Sequence, residues 1–316
     1  MMRKSICFLL GIICWLHSSA QFSIDSISEH DAAFILNYLT ADSLKGRGNY
    51  QPALHRAAHF IADRFTEYGL VTYFQFFGHK KITDSKDSGK GHDPANVLLN
   101  VIGVLRGKTK PDQAVIFSAH FDHLGVYDGT VFNGANDNAS GTTALLLLAN
   151  YFARLNNNQR TLIFCAFSGE ELGMLGSSAF VHKITPDSIV AMINIEMIGI
   201  PLIGKNSFFI TGSQHSDLQK IMERNLQKKI KIKRDPDYSK ALFKRSDNFP
   251  FAEKGVPAHT IMCGDDEEMC YHQSCDDFRR IDLANMLAVI RSIPLAMSTI
   301  INGEEAPKRI NPKTIY

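Results

Sequence analysis

An α/β domain with a largely parallel sheet, covered by helices on both faces, is the fold class this sequence predicts, and three observations carry that prediction. Continuous apolar runs of strand length alternate with helix-period segments from Asn96 to Ile301, the order expected of parallel strands joined by crossover helices. The 316 residues allow one large domain or two small ones at about 150 residues each, and the alternation runs on without a composition break, so one domain is the economical reading. Apolar residues make up 45% and charged residues 21%, with 22 Gly and 11 Pro, which supports a packed core and excludes disordered, collagen-like and fibrous chains.

The elements follow in order. Residues 1–20 place Arg3 and Lys4 before an apolar run from Ile6 to Leu16 and end in Ser18-Ser19-Ala20, the pattern of a cleaved signal peptide rather than a membrane anchor, for which the run is too short. The expectation is a chain exported to the periplasm or the extracellular space, with no stable membrane anchor and residues 21–316 as its single domain. Two helices are predicted from Asp31 to Leu39 and from Ala53 to Tyr68, separated by the turn-rich Lys45-Gly46-Arg47-Gly48-Asn49. Thr83 to Pro94 reads as a solvated loop, and Asn96 to Leu105 as a strand. Strands are then expected at 114–119, 161–167, 189–195, 207–211 and 259–262, with helices at 143–155, near 171–181, near 216–226 and at 283–301. The alternating Lys and Ile of residues 228–234 fits a sheet edge protected by charge.

Charge narrows the partners. Lys plus Arg number 34 against 32 Asp plus Glu, a net of +2, which gives no electrostatic reason for a nucleic acid partner. Six Cys without a C-x-x-C pair exclude a disulfide scaffold and a thiolate zinc site. Cys165 lies in an apolar run and reads as a buried thiol, whereas one disulfide is expected among Cys263, Cys270 and Cys275.

Ligands of open α/β sheets bind beyond the carboxyl ends of the strands, and acidic residues and His collect there. The strand at 114–119 ends in His120-Phe121-Asp122, that at 161–167 in Ser168-Gly169-Glu170-Glu171, and that at 189–195 in Glu196. A Gly-flanked polar loop, Asn133 to Gly141, opens the helix at 143, and the acidic loop after 262 reaches Tyr271-His272. Each feature alone has an ordinary explanation: a core His, a helix cap at Asp137 to Ser140, acidic residues in a first helical turn at Glu170 and Glu171. Glu196 does not, because a carboxylate inside an apolar sequence demands a counter-charge. Zinc accepts His nitrogen and carboxylate oxygen, and a pair about 3.5–4 Å apart needs a bridging carboxylate. His120, Asp137, Glu171, Glu196 and His272 supply such a set, leaving Glu170 free to take a proton and Asp122 to hold the other ring nitrogen of His120.

The motifs H-F-D-H at 120–123, N-G-A-N-D-N-A-S-G at 133–141, F-S-G-E-E-L-G-M-L-G-S at 167–177, N-I-E-M-I-G at 194–199, R-S-D-N-F-P-F-A-E-K-G-V-P-A at 245–258 and Y-H-Q-S-C-D at 271–276 resemble peptidase family M28, the co-catalytic zinc aminopeptidases. L-K-G-R-G at 44–48 and N-V-I-G-V-L-R-G at 100–107 extend the likeness along nearly the whole chain. The resemblance implies a zinc-exopeptidase-like three-layer α/β/α sandwich with a mixed, largely parallel sheet, two Zn2+ ions per chain, and residues 21–316 as the zinc peptidase catalytic domain. It implies Asp137 as the bridging ligand before a cis peptide to Asn138, His120 and Glu196 on one zinc, Glu171 and His272 on the other, and Glu170 as general base and acid. One departure stands out: Glu196 occupies a place where the family usually has Asp.

The implied activity is metal-activated attack of water on a peptide with a free N-terminus, releasing one residue, with Tyr238 or Tyr271 as a donor to the oxyanion. Two rivals share the fold. A glutaminyl cyclase uses one zinc and a Trp-lined pocket, whereas the only Trp here is Trp15. A non-catalytic binding ectodomain loses metal ligands, and this chain lacks none in kind.

Overall fold

The computed structural model describes residues 23–79, 96–227, 229–236 and 241–316. The signal-peptide segment 1–20, the polar stretch 83–94 and Tyr238 lie outside the described residues.

The sheet is built from β1 (Val71–His79), β2 (Val97–Leu105), β3 (Lys110–His120), β6 (Arg160–Phe167), β7 (Ile189–Ile195), β8 (Ser207–Ile210), β9 (Lys231–Lys233) and β10 (Ala258–Met262). Its eight strands lie in the order β1-β2-β6-β3-β7-β10-β8-β9. The centre, β6 through β3 and β7 to β10, is parallel, while β1, β2 and β8 join it antiparallel. The sheet is therefore mixed, with its parallel part where both faces are covered.

Side chains of the central strands alternate between two cores. Val115, Phe117 and Ala119 of β3 face a core shared with α1 (Glu29–Leu39), α2 (Pro52–Glu67), α3 (Ser140–Leu155), α5 (Leu218–Leu226) and α7 (Leu283–Ala296). Ala114 and Ile116 face the other way, toward α4 (Leu175–Val181), α6 (Phe249–Ala252) and the carboxyl-terminal Ile310 and Ile315. This period-two sorting places helices on both faces and makes the three layers.

Several elements differ from the sequence reading. Strand β1 is an addition to it, an edge strand whose Val71, Tyr73 and Phe76 are exposed, so its pattern lacks a clean buried face. A small hairpin, β4 (Gly125–Tyr127) and β5 (Thr130–Phe132), turns at Asp128-Gly129. Helix α4 starts at Leu175 rather than near Glu171, and the last helix breaks at Met297, after Pro294, into α7 and α8 (Ser298–Ile301). The Lys231–Lys233 strand does lie at the sheet edge, pairing only with β8. Cys270 and Cys275 form a disulfide, while Cys165 and Cys263 are free and buried.

One buried group in β10 ties stability to acidity. His259 donates from Nδ1 to the Thr211 carbonyl at 2.8 Å and accepts at Nε2 from Ser216 Oγ at 2.7 Å. Burial pulls its pKa down to about 4, whereas the unfolded chain takes up the proton near the ordinary value of about 6.5. The contribution is thus complete above that value and is lost as pH falls toward about 4, by roughly 3 kcal/mol in all. Urea unfolding at about pH 7 and about pH 4.5 should show His259→Gln losing less stability on acidification than the parent, by about 2–3 kcal/mol; equal losses would contradict this.

Candidate metal centre

The site forms where parallel strands end. In the register of β3 with β6, His120 pairs with Phe167, and Ser118 pairs with Asn194 of β7. One strand spacing therefore separates the H-F-D-H turn from the Glu170-Glu171 turn on one side and from Glu196 on the other. Between them Asn136 to Ser140 is stitched to the end of β7. Asn138 donates to the Ile195 carbonyl at 3.0 Å, and its Oδ1 accepts from Gly141 N at 2.9 Å and Met197 N at 3.3 Å. Asn136 Oδ1 accepts from Gly199 N at 2.9 Å. Gly141 is required at this junction, because a Cβ there would lie 2.1 Å from the Ile195 carbonyl oxygen. The peptide between Asp137 and Asn138 is cis, as the resemblance implied.

Asp137 is also held from the opposite side. Asp276, on the loop that carries His272, accepts from Asn136 N at 2.8 Å and Asp137 N at 3.0 Å through its two carboxylate oxygens. No side-chain hydrogen bond caps α3, so the Asp137 carboxylate is left to the centre.

All five expected metal donors converge. His120, Asp137 and Glu196 offer atoms within 4.8 Å of one another. His272 Nε2 lies 3.1 Å from Asp137 Oδ2 and 3.2 Å from Glu171 Oε2, and His120 Nε2 lies 3.3 Å from Asp137 Oδ1. Glu171 and Glu170 sit in a turn before α4 and not in a first helical turn. Their backbone amides donate to the two Asp122 carboxylate oxygens, each at 3.3 Å, and Asn49 donates to the same group at 2.6 Å. The role expected of Asp122 was to hold the other ring nitrogen of His120. That nitrogen, Nδ1, is 3.2 Å from the Asp122 carbonyl oxygen and 3.7 Å from its carboxylate, so the backbone makes the nearer contact and the carboxylate chiefly fixes the Glu170-Glu171 turn.

Glu196 is anchored by a polar network. Ser246 Oγ donates to its Oε2, Asn194 Nδ2 reaches the same oxygen at 3.4 Å and Ser246 Oγ at 2.7 Å, and Ser118 donates to Asn194 at 2.7 Å. The added methylene of Glu is accommodated with its carboxylate still facing His120 and Asp137.

Electrostatics show a centre that wants positive charge. Burial, then Asp137 and Asp247, push the Glu196 carboxyl up to about 7, with His120 and Ser246 opposing. Burial raises Glu170 well above the usual carboxylate range, helped by Glu196, Asp247 and Glu171 and opposed by His120. Although burial opposes it, the His120 pKa is held well above its ordinary value by Glu170, Asp122 and Asp137. Among the described residues His120 Nε2 is nevertheless buried without a hydrogen-bond partner. A buried imidazole nitrogen aimed at crowded carboxylates, with a donor set of His nitrogen and carboxylate oxygen, fits divalent zinc. Glu170, Glu196, Met197, Leu242, Met262 and Tyr271 line the adjoining cleft, and the Tyr271 ring stacks on His272 at 3.9 Å between centroids.

Three supporting residues escaped the sequence reading: Asp276, His123 and Arg47. All three stood within the quoted motifs, but nothing there separates a supporting residue from its neighbours. Arg47 is fully buried and donates only to backbone: to the carbonyls of Phe121 at 2.7 Å, Leu39 and Asn133 at 2.6 Å each, and Gly134 at 2.9 Å. It ties the turn holding His120 to the loop holding Asp137.

The sequence model of Peptidase family M28 matches residues 100–296. Aminopeptidase YwaD of Bacillus subtilis is 28% identical over 221 residues, covering 67% of this chain and 46% of that protein. Aminopeptidase Y of Saccharomyces cerevisiae is 28% identical over 221 residues, covering 64% and 39%. The chain therefore spans less than half the length of these two relatives. Among solved structures, a zinc aminopeptidase from Bacillus subtilis superposes with a TM-score of 0.72 at 16% identity, covering 88% of this chain and 97% of that one. A glutaminyl cyclase from Bacteroides thetaiotaomicron gives 0.68 at 16% identity, covering 88% and 99%. At these identities the two structures share the fold and carry no further assignment.

Proposed function

The chain belongs to peptidase family M28, and from that membership we propose that it is an exported zinc-dependent aminopeptidase that releases N-terminal residues from peptides. The observation that carries this reading is the convergence of His120, Asp137 and Glu196 on one side and Glu171 and His272 on the other, with Asp137 between them. That set matches two zinc ions sharing one bridging carboxylate, and residues 21–316 act as one catalytic unit because the donors sit at the end of β3 and on the turns and loops gathered at the same end of one sheet.

When bound, the two ions lower the pKa of water and polarise the scissile carbonyl. Glu170 takes the proton of the attacking water and returns it to the leaving amine. Burial and neighbouring carboxylates raise its pKa, which makes it a better proton acceptor than an ordinary carboxylate. Tyr271 is the donor we assign to the developing oxyanion: burial and the Asp137, Glu171 and Glu196 carboxylates raise its pKa and keep the phenol protonated. Met197, Leu242 and Met262 give the cleft an apolar wall. Among the described residues no helix is long and apolar enough to cross a membrane, and the Cys270–Cys275 disulfide supports an oxidising destination.

Metal analysis joined to hydrolysis of amino-acyl amides tests the reading. Two zinc ions per chain are expected, with hydrolysis abolished by prolonged chelation and restored by zinc or cobalt. Glu196→Ala should weaken one ion and spare the other, while Glu196→Asp should keep both. One ion at saturation, unchanged in Glu196→Ala, together with cyclisation of N-terminal glutamine, would transfer the chain to the single-zinc cyclases.

A further inference from the structure

A sixth donor stands beside the five. His123 is buried, and its Nδ1 lies 2.9 Å from Glu171 Oε1 and 3.9 Å from Asp137 Oδ2. From the other side His272 Nε2 approaches the same two carboxylates at 3.2 Å and 3.1 Å. The two imidazoles face each other edge to face, with centroids 5.7 Å apart and planes at 72°.

His123, Asp137 and Glu171 offer donor atoms that all lie within 4.8 Å of one another, and His272 Nε2 touches the same two carboxylates. Four donors, each about 2.0–2.1 Å from a tetrahedral zinc, stand about 3.3 Å from one another. The contacts among His123, His272, Glu171 and Asp137 straddle that spacing. The opposite group contains only His120, Asp137 and Glu196 among the described residues.

His123 is also fixed in place. Its backbone amide donates to the Arg47 carbonyl at 3.3 Å, and its ring lies on Gly134, where φ is +58 and an added Cβ would come within 2.5 Å of the imidazole. Among the described residues no hydrogen-bond partner meets its buried Nε2, and Nδ1 faces the carboxylates of Glu171 and Asp137.

We propose that His123 is a fourth protein ligand of the zinc held by Asp137, Glu171 and His272. That ion would then have four protein donors, against three for the ion held by His120, Asp137 and Glu196. The two ions thereby differ in their protein shells, and the three-donor ion keeps more room for water and substrate. This inference rests on the two-zinc reading above.

X-ray absorption of the zinc-loaded protein, which counts imidazoles, tests it without a variant. Three imidazoles shared by two ions are expected; two shared by two ions would overturn the proposal and leave the two-zinc reading standing. Zinc competition with a chromophoric chelator gives the second measurement. His123→Asn keeps an amide that can hydrogen-bond Glu171 but removes the imidazole ligand. It should weaken one of the two ions at least about tenfold with circular dichroism unchanged, and unaltered affinity for both would overturn the proposal. A parent protein that saturates with one ion would instead sink the two-zinc reading, and this inference with it.

Discussion

Replacing Glu170 by Gln is expected to lower hydrolysis of an amino-acyl amide by about 10²- to 10⁴-fold, the span that general acid–base catalysis supplies. The amide is isosteric, and Glu170 is assigned the proton and not a metal, so zinc content and fold should be unchanged. Glu171→Gln should fail differently. Its carboxylate lies 2.9 Å from His123 Nδ1 and 3.2 Å from His272 Nε2, and making it neutral removes an anionic donor, so that variant should lose an ion as well as rate. Zinc content and kcat measured on the two variants side by side make the check. Equal zinc and equal loss of rate in both would refute the division of labour between these adjacent residues.

Arg47→Met should have the largest effect on stability. The guanidinium is fully buried and satisfies four carbonyls, and burial lowers its pKa only to about 10, so it is charged at neutrality. Nearby Asp276, Asp122, Asp137 and Glu171 favour that charge. Removing it strands the acceptors and leaves the carboxylates uncompensated, and breaking a buried charge cluster of this kind costs about 3–5 kcal/mol. Zinc affinity should fall too, since Arg47 joins the His120 turn to the Asp137 loop. Urea unfolding with an unchanged m-value, alongside zinc competition, measures both; a loss below about 1 kcal/mol would mean the carbonyls find water instead. Arg47→Lys should recover little, because one ammonium cannot span four carbonyls in that fork.

The residues legible in the sequence are those whose surroundings contrast with them. His120, Glu170, Glu171 and Glu196 follow apolar runs, so a polar side chain at the end of β3, β6 or β7 is conspicuous. Asp137 sits among Gly and Asn in a loop that a helix cap would explain equally well, and it stands out only beside the other four donors. Arg47 stayed hidden for the opposite reason: its partners are main-chain carbonyls of Leu39, Phe121, Asn133 and Gly134, and a carbonyl has no letter. Asp276 acts through backbone amides and was equally silent. The β4–β5 hairpin was readable, since Asp128-Gly129 is a strong two-residue turn signal, but its strands are three residues each. Strand β1 stayed unread because an edge strand exposed on part of both faces breaks the alternation on which strand recognition depends.

The Cys270–Cys275 disulfide has a consequence for the lifetime of a bound ion. His272 is the most exposed of the assigned donors, with a third of its side chain open to solvent, and its loop has no helix or strand of its own. The bond closes a ring over a sequence separation of five, with His272 inside it. An imidazole that lets go of zinc therefore stays within a short tether of it, at a high effective concentration, and recapture becomes an intramolecular event that outruns escape. Cleaving the bond lengthens the tether and leaves each donor in its place, so the ion exchanges faster while its coordination is unchanged.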